Sequence, residues 1–210
     1  MSKLQQSTKP HLVPLIRGDW TRVSSESIKL ISAWSAMFSI VYEYADPKTA
    51  MIPQDHRRFI KDTMTIPDNW YVWVGKYSPN SKDNGQTNHF GMQAANFNIN
   101  SPQNIQTTGF AIGKLYVQTF MATPVDEISS FMATSFGRNF NVAKLWPSTR
   151  NHIIEPSNIF TPLEVQKASC AIAIAYGSPA FIKTNSSIPN GCTYDSNVLK
   201  WFSDSQKQIG

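Results

Sequence analysis

The apolar and polar positions of this chain fall first into a helical period and then into strand runs. Over residues 25–45 one side of a helix collects Ile28, Ile31, Trp34, Phe38, Val41 and Ala45, while Leu30, Met37 and Tyr44 lie elsewhere around the axis. Ser32, Ser35 and Ser39 add a stripe of small side chains against which another element can pack closely. Ser24 or Ser25 serves as N-cap, Glu26 suits the first turn, and Asp46-Pro47 ends the helix. This pattern predicts a buried central helix. A shorter helix is predicted from about Pro53 to Asp62, with Phe59 and Ile60 inside and His56, Arg57 and Lys61 outside.

Four runs then read as strands: 70–77, 90–99, 110–121 and 142–146, with Gly75 marking a bulge or close approach and Gly113 lying inside the third. Residues 78–88 read as an exposed loop. Short connections without intervening helices favour an antiparallel meander. Thr161-Pro162-Leu163-Glu164 is a helix start in which Thr caps, Pro takes the first helical position and Glu reaches back; that helix runs to Tyr176 and stops at Gly177. Val198, Leu199, Trp201 and Phe202 give a last amphipathic turn. Pro10 and Pro14 oppose a helix, so residues 1–20 are expected to form a draped arm ending in a Gly18-Asp19 turn. The expected fold is α+β, with a central buried helix and short helices packed on a mostly antiparallel sheet of about four strands. The organisation is an arm (1–20), an α+β domain (21–178), and a C-terminal loop with a short helix (179–210).

Composition sharpens this picture in three ways. With 210 residues, 41% hydrophobic and 12% aromatic, the chain can bury a sizeable core. Only 16% of residues are charged, so the polar surface rests largely on amides and hydroxyls. The net charge of +5 suits a phosphate-rich partner, yet the cations are spread, and their densest group is Arg57-Arg58 with Lys61. Two cysteines, Cys170 and Cys192, make no disulfide framework or zinc site, and the expected setting is a reducing cytoplasm. Residues 30–42 form the longest charge-free apolar stretch, too short to span a bilayer, which needs about 20 residues.

Candidate chemistry is sparse. His11, His56, His89 and His152 stand far apart in sequence, none with a second ligand at metal-binding spacing. Asp126-Glu127 reads as a solvated loop or helix start, and no Gly-rich phosphate loop or nucleophile elbow occurs. No catalytic residue, metal ligand or cofactor is therefore assigned. Arg57, Arg58, Lys61, Lys76 and Lys114 are the candidate phosphate contacts. Trp20, Trp70, Trp73, Tyr77 and Trp146 could stack on bases near them, but large aromatics more often belong to the core.

Several short patterns occur in an order that resembles the region following the zinc-held motif of bacterial HNH endonuclease-like proteins. They are Lys9-Pro10 with Pro14-Leu15-Ile16-Arg17-Gly18, Leu30-Ile31-Ser32-Ala33-Trp34-Ser35-Ala36-Met37, Ile52-Pro53-Gln54-Asp55-His56-Arg57-Arg58, Val72-Trp73-Val74-Gly75-Lys76-Tyr77, Thr107-Thr108-Gly109-Phe110-Ala111-Ile112-Gly113-Lys114-Leu115 and Leu145-Trp146-Pro147. The resemblance implies a module of an HNH nuclease system. The family's Cys-x-x-Cys pairs and catalytic His/Asn/His are absent here. His152-Ile153-Ile154-Glu155-Pro156 only imitates the family's His-apolar-apolar-Pro run, because Glu155 interrupts it. The expectation is a non-catalytic, nucleic-acid-binding accessory module, with DNA or RNA and an HNH nuclease module as partners and no membrane association. The alternatives are a protein-interaction or oligomerisation domain with the 70–77 strand at an edge or interface, and a small-molecule enzyme built from scattered residues such as His89 or His152 beside a carboxylate.

Overall fold

The computed structural model describes residues 3–20, 23–45, 50–79, 85–94, 103–123, 135–148 and 155–177. The expectations for Asp126, Glu127, His152, Cys192 and residues 179–210 lie outside them. The α+β class is as the sequence indicates. Helices α1 (Lys3–Arg17), α2 (Ser25–Ala45) and α3 (Gln54–Thr63) precede strands β1 (Trp70–Tyr77), β2 (Gly85–Ala94), β3 (Gln103–Ile112) and β4 (Leu115–Thr123). A helical stretch described over 135–139 (α4), strands β5 (Ala143–Trp146) and β6 (Ile159–Phe160), and helix α5 (Pro162–Gly177) follow.

The six strands form one sheet in the order β2-β3-β4-β1-β5, with β6 pairing parallel to β1 and the other pairings antiparallel. Alternation along each strand sends two side-chain sets to opposite faces. Trp70, Val72 and Val74 join Leu115, Val117 and Met121 under α1, α2 and α3. Tyr71, Trp73 and Tyr77 join Tyr116 and Phe120 under Phe136 of α4 and Val165, Ala168 and Ile172 of α5. β1 is thus an interior strand of the sheet, between β4 and β5. Its lack of a polar face is what burial on both sides demands.

α2 forms as its caps direct: the Ser24 hydroxyl accepts the Ser27 N–H at 3.2 Å. Its stripe of Ser32, Ser35, Ala36 and Ser39 is buried and lets the helix lie close to the sheet, where the Ser39 and Thr119 hydroxyls meet at 2.8 Å. The α5 capping box is also present, with the Thr161 N–H donating to Glu164 Oε2 at 2.7 Å and the Glu164 N–H reaching Thr161 Oγ1 at 3.4 Å.

The expected N-terminal arm is instead a helix containing both prolines. Leu4, Thr8, Leu12 and Leu15 recur at helical spacing and are buried, and the Thr8 hydroxyl reaches the Leu4 carbonyl at 2.8 Å and the Leu30 carbonyl at 3.3 Å. The carbonyls that Pro10 and Pro14 leave without an N–H belong to Gln6 and Pro10, both exposed, so water can take their place. Burial of the apolar stripe outweighs the proline penalty.

The strand boundaries also shift. The single run expected over 110–121 is a hairpin: Gly113, at φ 58°, and Lys114 turn the chain between β3 and β4. A glycine with positive φ at the first of two turn residues matches the twist of the flanking strands. β2 starts at Gly85, inside the expected loop, and ends at Ala94. The close approach expected at Gly75 is real: a Cβ there would lie 3.1 Å from Val142 Cγ1 and 3.2 Å from the Tyr116 ring. Cys170, buried on α5, is disulfide-bonded.

If packing alone holds α1 helical, relieving the backbone defect should strengthen the fold. Pro10→Ala, at an exposed position, is expected to raise unfolding stability by about 1–3 kcal/mol in a denaturant titration. A loss of stability would show that the proline geometry is itself required.

Candidate functional site

The five candidate phosphate contacts do not converge. His56 of α3 sits against the start of β1, where the Trp70 indole N–H donates to His56 Nδ1 at 3.2 Å. Lys76 lies near the other end of that strand and Lys114 in the β3–β4 turn beside it. At about 3.3 Å per residue, β1 holds the two groups roughly 20 Å apart. Lys114 is therefore a turn residue, not a strand residue as expected.

Two of the five are also engaged within the fold. The Lys76 ammonium pairs with Glu155 at 2.7 Å. The Arg57 guanidinium is ion-paired with the buried Glu43, donates from Nε to the Ile52 carbonyl at 3.1 Å and lies 5.3 Å from the Tyr44 ring centre. Arg58 and Lys61 are exposed, and so is Phe59, which the sequence placed inside. The proposed stacking aromatics are core: Trp20, Trp70, Trp73 and Tyr77 are buried, and the half-buried Trp146 donates its indole N–H to the Pro67 carbonyl at 3.2 Å.

Glu43 is an anchor for the segment between α2 and α3. Its carboxylate accepts the Met51 N–H at 2.9 Å and the Ile52 N–H at 3.2 Å. Burial pushes its pKa above the ordinary glutamate value, against the lowering effects of the Met51 N–H, the Arg57 charge and the Ile52 N–H. Burial likewise lowers the pKa of His56, opposed by the charge of Asp55. That favours the neutral imidazole whose Nδ1 can accept from Trp70.

The surface that gathers half-exposed aromatic and apolar side chains lies elsewhere. An open cavity of about 540 Å³ is lined by Gln5, Lys9, Leu12, Val13 and Ile16 of α1 and by Trp34 of α2. α1 runs antiparallel to α2, with Thr8 against Leu30 and His11 Nδ1 2.9 Å from the Ser27 hydroxyl, so its 5-9-12-16 flank faces Trp34. From Trp34 an aromatic row continues along α2. Trp34 and Phe38 lie 6.0 Å apart, Phe38 and Tyr42 6.3 Å, and Tyr42 and His89 of β2 5.4 Å, with Phe110 of β3 4.3 Å from Phe38. Trp34, Phe38, Tyr42 and His89 are all only partly buried.

Beneath the row lies a polar cluster inside the sheet. His89 Nδ1 is 2.7 Å from the Thr108 hydroxyl. The Gln106 amide donates to that hydroxyl and, at 3.4 Å, to Thr119 Oγ1. His89 thus meets a hydroxyl here, and Thr108 is fully buried. Such an arrangement orients the imidazole and satisfies the strand interior. Among the described residues, no group of three or more His, Cys, Asp or Glu side chains is placed to hold a metal ion.

The sequence reading missed Lys9, Val13 and Ile16 because it made α1 an arm. The aromatic spacing Trp34, Phe38, Tyr42 was visible as an i, i+4, i+8 stripe, but nothing in the sequence marked it as left partly open. No family model matches the chain, and no curated protein or solved structure matches it.

The ion pair gives a pH-dependent test. A folded-state carboxyl pKa above the unfolded one means that the folded protein holds the proton more tightly; that stabilisation is full at low pH and is lost as pH rises through the window above the ordinary glutamate value. Removing Arg57 widens the window. Arg57→Met should therefore cost about 3–5 kcal/mol near neutral pH and clearly less under mildly acidic conditions, where Glu43 is protonated. A cost independent of pH in paired denaturant titrations would rule out Glu43 as its origin.

Proposed function

We propose that this domain is a non-catalytic binding module that takes an amphipathic segment of a protein partner into the cavity between α1 and Trp34. The observation that carries this reading is the lining itself: Leu12, Val13, Ile16 and the half-buried Trp34 supply apolar wall, and Lys9 supplies a cation at the same cavity. Apolar anchors seated in a pocket provide most of the affinity of such contacts, and a rim charge selects orientation. The matching segment is a helix with an apolar face and a carboxylate that reaches Lys9. The cations favour an acidic partner over a second copy of this net-positive chain.

Binding along a nucleic-acid backbone is the weaker reading. It needs several phosphate contacts on one track, whereas the exposed Arg58 and Lys61 stand about a strand length from Lys114. The resemblance to HNH endonuclease-like proteins makes a metal-holding nuclease module the first partner to consider, with this domain contributing attachment and not cutting.

The test compares an amphipathic acidic helical peptide with a single-stranded oligonucleotide, using the tryptophan fluorescence of the domain. Peptide binding should weaken by about tenfold or more in Trp34→Ala and in Lys9→Glu, with the far-UV spectrum unchanged. Oligonucleotide binding with a steep salt dependence, together with no peptide binding, would overturn the proposal in favour of the nucleic-acid reading.

A further inference from the structure

The outward side of α5 changes character along its length. Val165, Ala168 and Ile172 face the sheet core, and the Ser169 hydroxyl reaches Gln118 Oε1 at 3.2 Å. At about 100° per residue, Leu163, Lys167 and Cys170 lie on the opposite side of the helix. Leu163 is 59% exposed and Lys167 is exposed too, as a solvent-facing stripe requires. One turn further on, Cys170 is only 7% exposed and its neighbour Ala171 only 1%. The strands on which α5 packs, β2, β3 and β6, all belong to the sheet on its inner side. The burial of Cys170 therefore comes from a layer on the far side of the helix.

The sequence of α5 is built for such a layer. Its first turns hold Glu164, Gln166 and Lys167, whereas Cys170-Ala171-Ile172-Ala173-Ile174-Ala175 offers no charge or amide on any side. A helical stretch that is apolar all round is one that becomes buried. Cys170 is also disulfide-bonded within a single copy of the chain, whose other cysteine is Cys192. The sequence between them suits a return: Gly177-Ser178-Pro179 stops a helix, and Pro189-Asn190-Gly191 is a turn sequence just before Cys192. Residues 178–192 can span far more than the roughly 10 Å from the end of α5 back to Cys170.

We propose that the C-terminal segment, residues 178–210, is a strap over the outer side of α5, clipped to it by a Cys170–Cys192 disulfide. A disulfide sets its two Cα atoms about 6 Å apart, which puts Cys192 on the part of α5 that is covered. Val198, Leu199, Trp201 and Phe202 follow within reach of the same helix and supply apolar side chains to extend the cover. The disulfide is what selects this occupant. Neither the other segments of the chain nor any described element holds a second sulfhydryl that could bond to Cys170.

The clip makes the strap responsive to thiols. One thiolate of a dithiol reductant attacks a sulfur of the disulfide and forms a mixed disulfide. The second thiol then displaces that bond, so the reductant leaves as its own disulfide and Cys170 and Cys192 take up the two protons it gives up. Without the clip the strap is held by apolar contact alone, and its release bares the apolar half of α5. The α1–Trp34 cavity lies across the sheet from α5. This inference therefore does not rest on that cavity, and loss of peptide binding there would not bear on it.

The test starts from the full chain equilibrated with oxidised glutathione, digested without reduction and mapped by mass. The expected product is a monomer in which one pair of peptides joins Cys170 to Cys192. Free thiols, glutathione adducts or a disulfide-linked dimer would each overturn the proposal. Amide hydrogen exchange then compares the oxidised protein with the protein in dithiothreitol. Amides within 198–202 should exchange at least about tenfold faster after reduction, while those of β1 and β4 stay as they were. Cys192→Ser should match the reduced protein and no longer respond to dithiothreitol; if that variant fails to fold, the comparison of oxidised and reduced protein decides. Equal exchange in the two states would remove the strap, and faster exchange throughout β1 and β4 would show that the disulfide holds the whole fold, which rules out a releasable clip.

Discussion

The pairing of β1 with β4 is the constraint to which the rest of this structure answers. Both strands are buried almost from end to end, and helices cover the two faces of the sheet. A strand in that position must carry apolar side chains on both faces, as the Trp70–Tyr77 sequence does. It must also exclude charge from its interior, and only Lys76, at the end, departs from that rule. Every backbone group between the layers finds its partner within the sheet or not at all.

That burial gives meaning to the polar residues that remain inside. On the α5 side the Tyr116 hydroxyl donates to Gln118 Oε1 at 2.6 Å, the Ser169 hydroxyl donates to the same oxygen at 3.2 Å, and the Gln118 amide donates to Thr107 Oγ1 at 2.6 Å. Burial holds the Tyr116 phenol well above its ordinary pKa, so it remains a neutral donor. On the α2 side Gln106, Thr108, Thr119 and Ser39 form the counterpart beneath His89. Amides and hydroxyls bond to one another in this interior without the desolvation cost of ions, which fits a chain poor in charge, while Gln106 Oε1 and the Ser32 hydroxyl find no partner among the described residues. Among the described residues Glu43 is the buried acid that is kept, and Arg57 with two backbone N–H groups compensates it.

The same layering decides which side chains stay partly open. α1 covers the first half of the outer side of α2, and past its start the aromatic row from Trp34 to Tyr42 is only partly sheltered. Among the described residues, the partly open side of α2 is therefore aromatic more than cationic. Charge read along the sequence pointed to Arg57 and Lys76, yet Arg57 pairs with the buried Glu43 and Lys76 with the exposed Glu155.

Local chemistry was enough to specify α2, the α5 capping box, the apolar character of β1 and the α+β class, because caps, period and strand burial leave their marks within a few residues. The turn at Gly113-Lys114 was equally local but was passed over, since apolar residues continue on both sides of it. Tertiary contact decided the rest. α1 is helical because the 4-8-12-15 stripe finds α2, a gain invisible beside two prolines in the sequence. The separation of the cations by a strand's length, the engagement of Arg57 with Glu43, and the gathering of Lys9, Val13, Ile16 and Trp34 around one cavity all depend on distances between segments remote in the chain. Sequence records which side chains are available, but only packing sets which of them are consumed inside and which are left facing out.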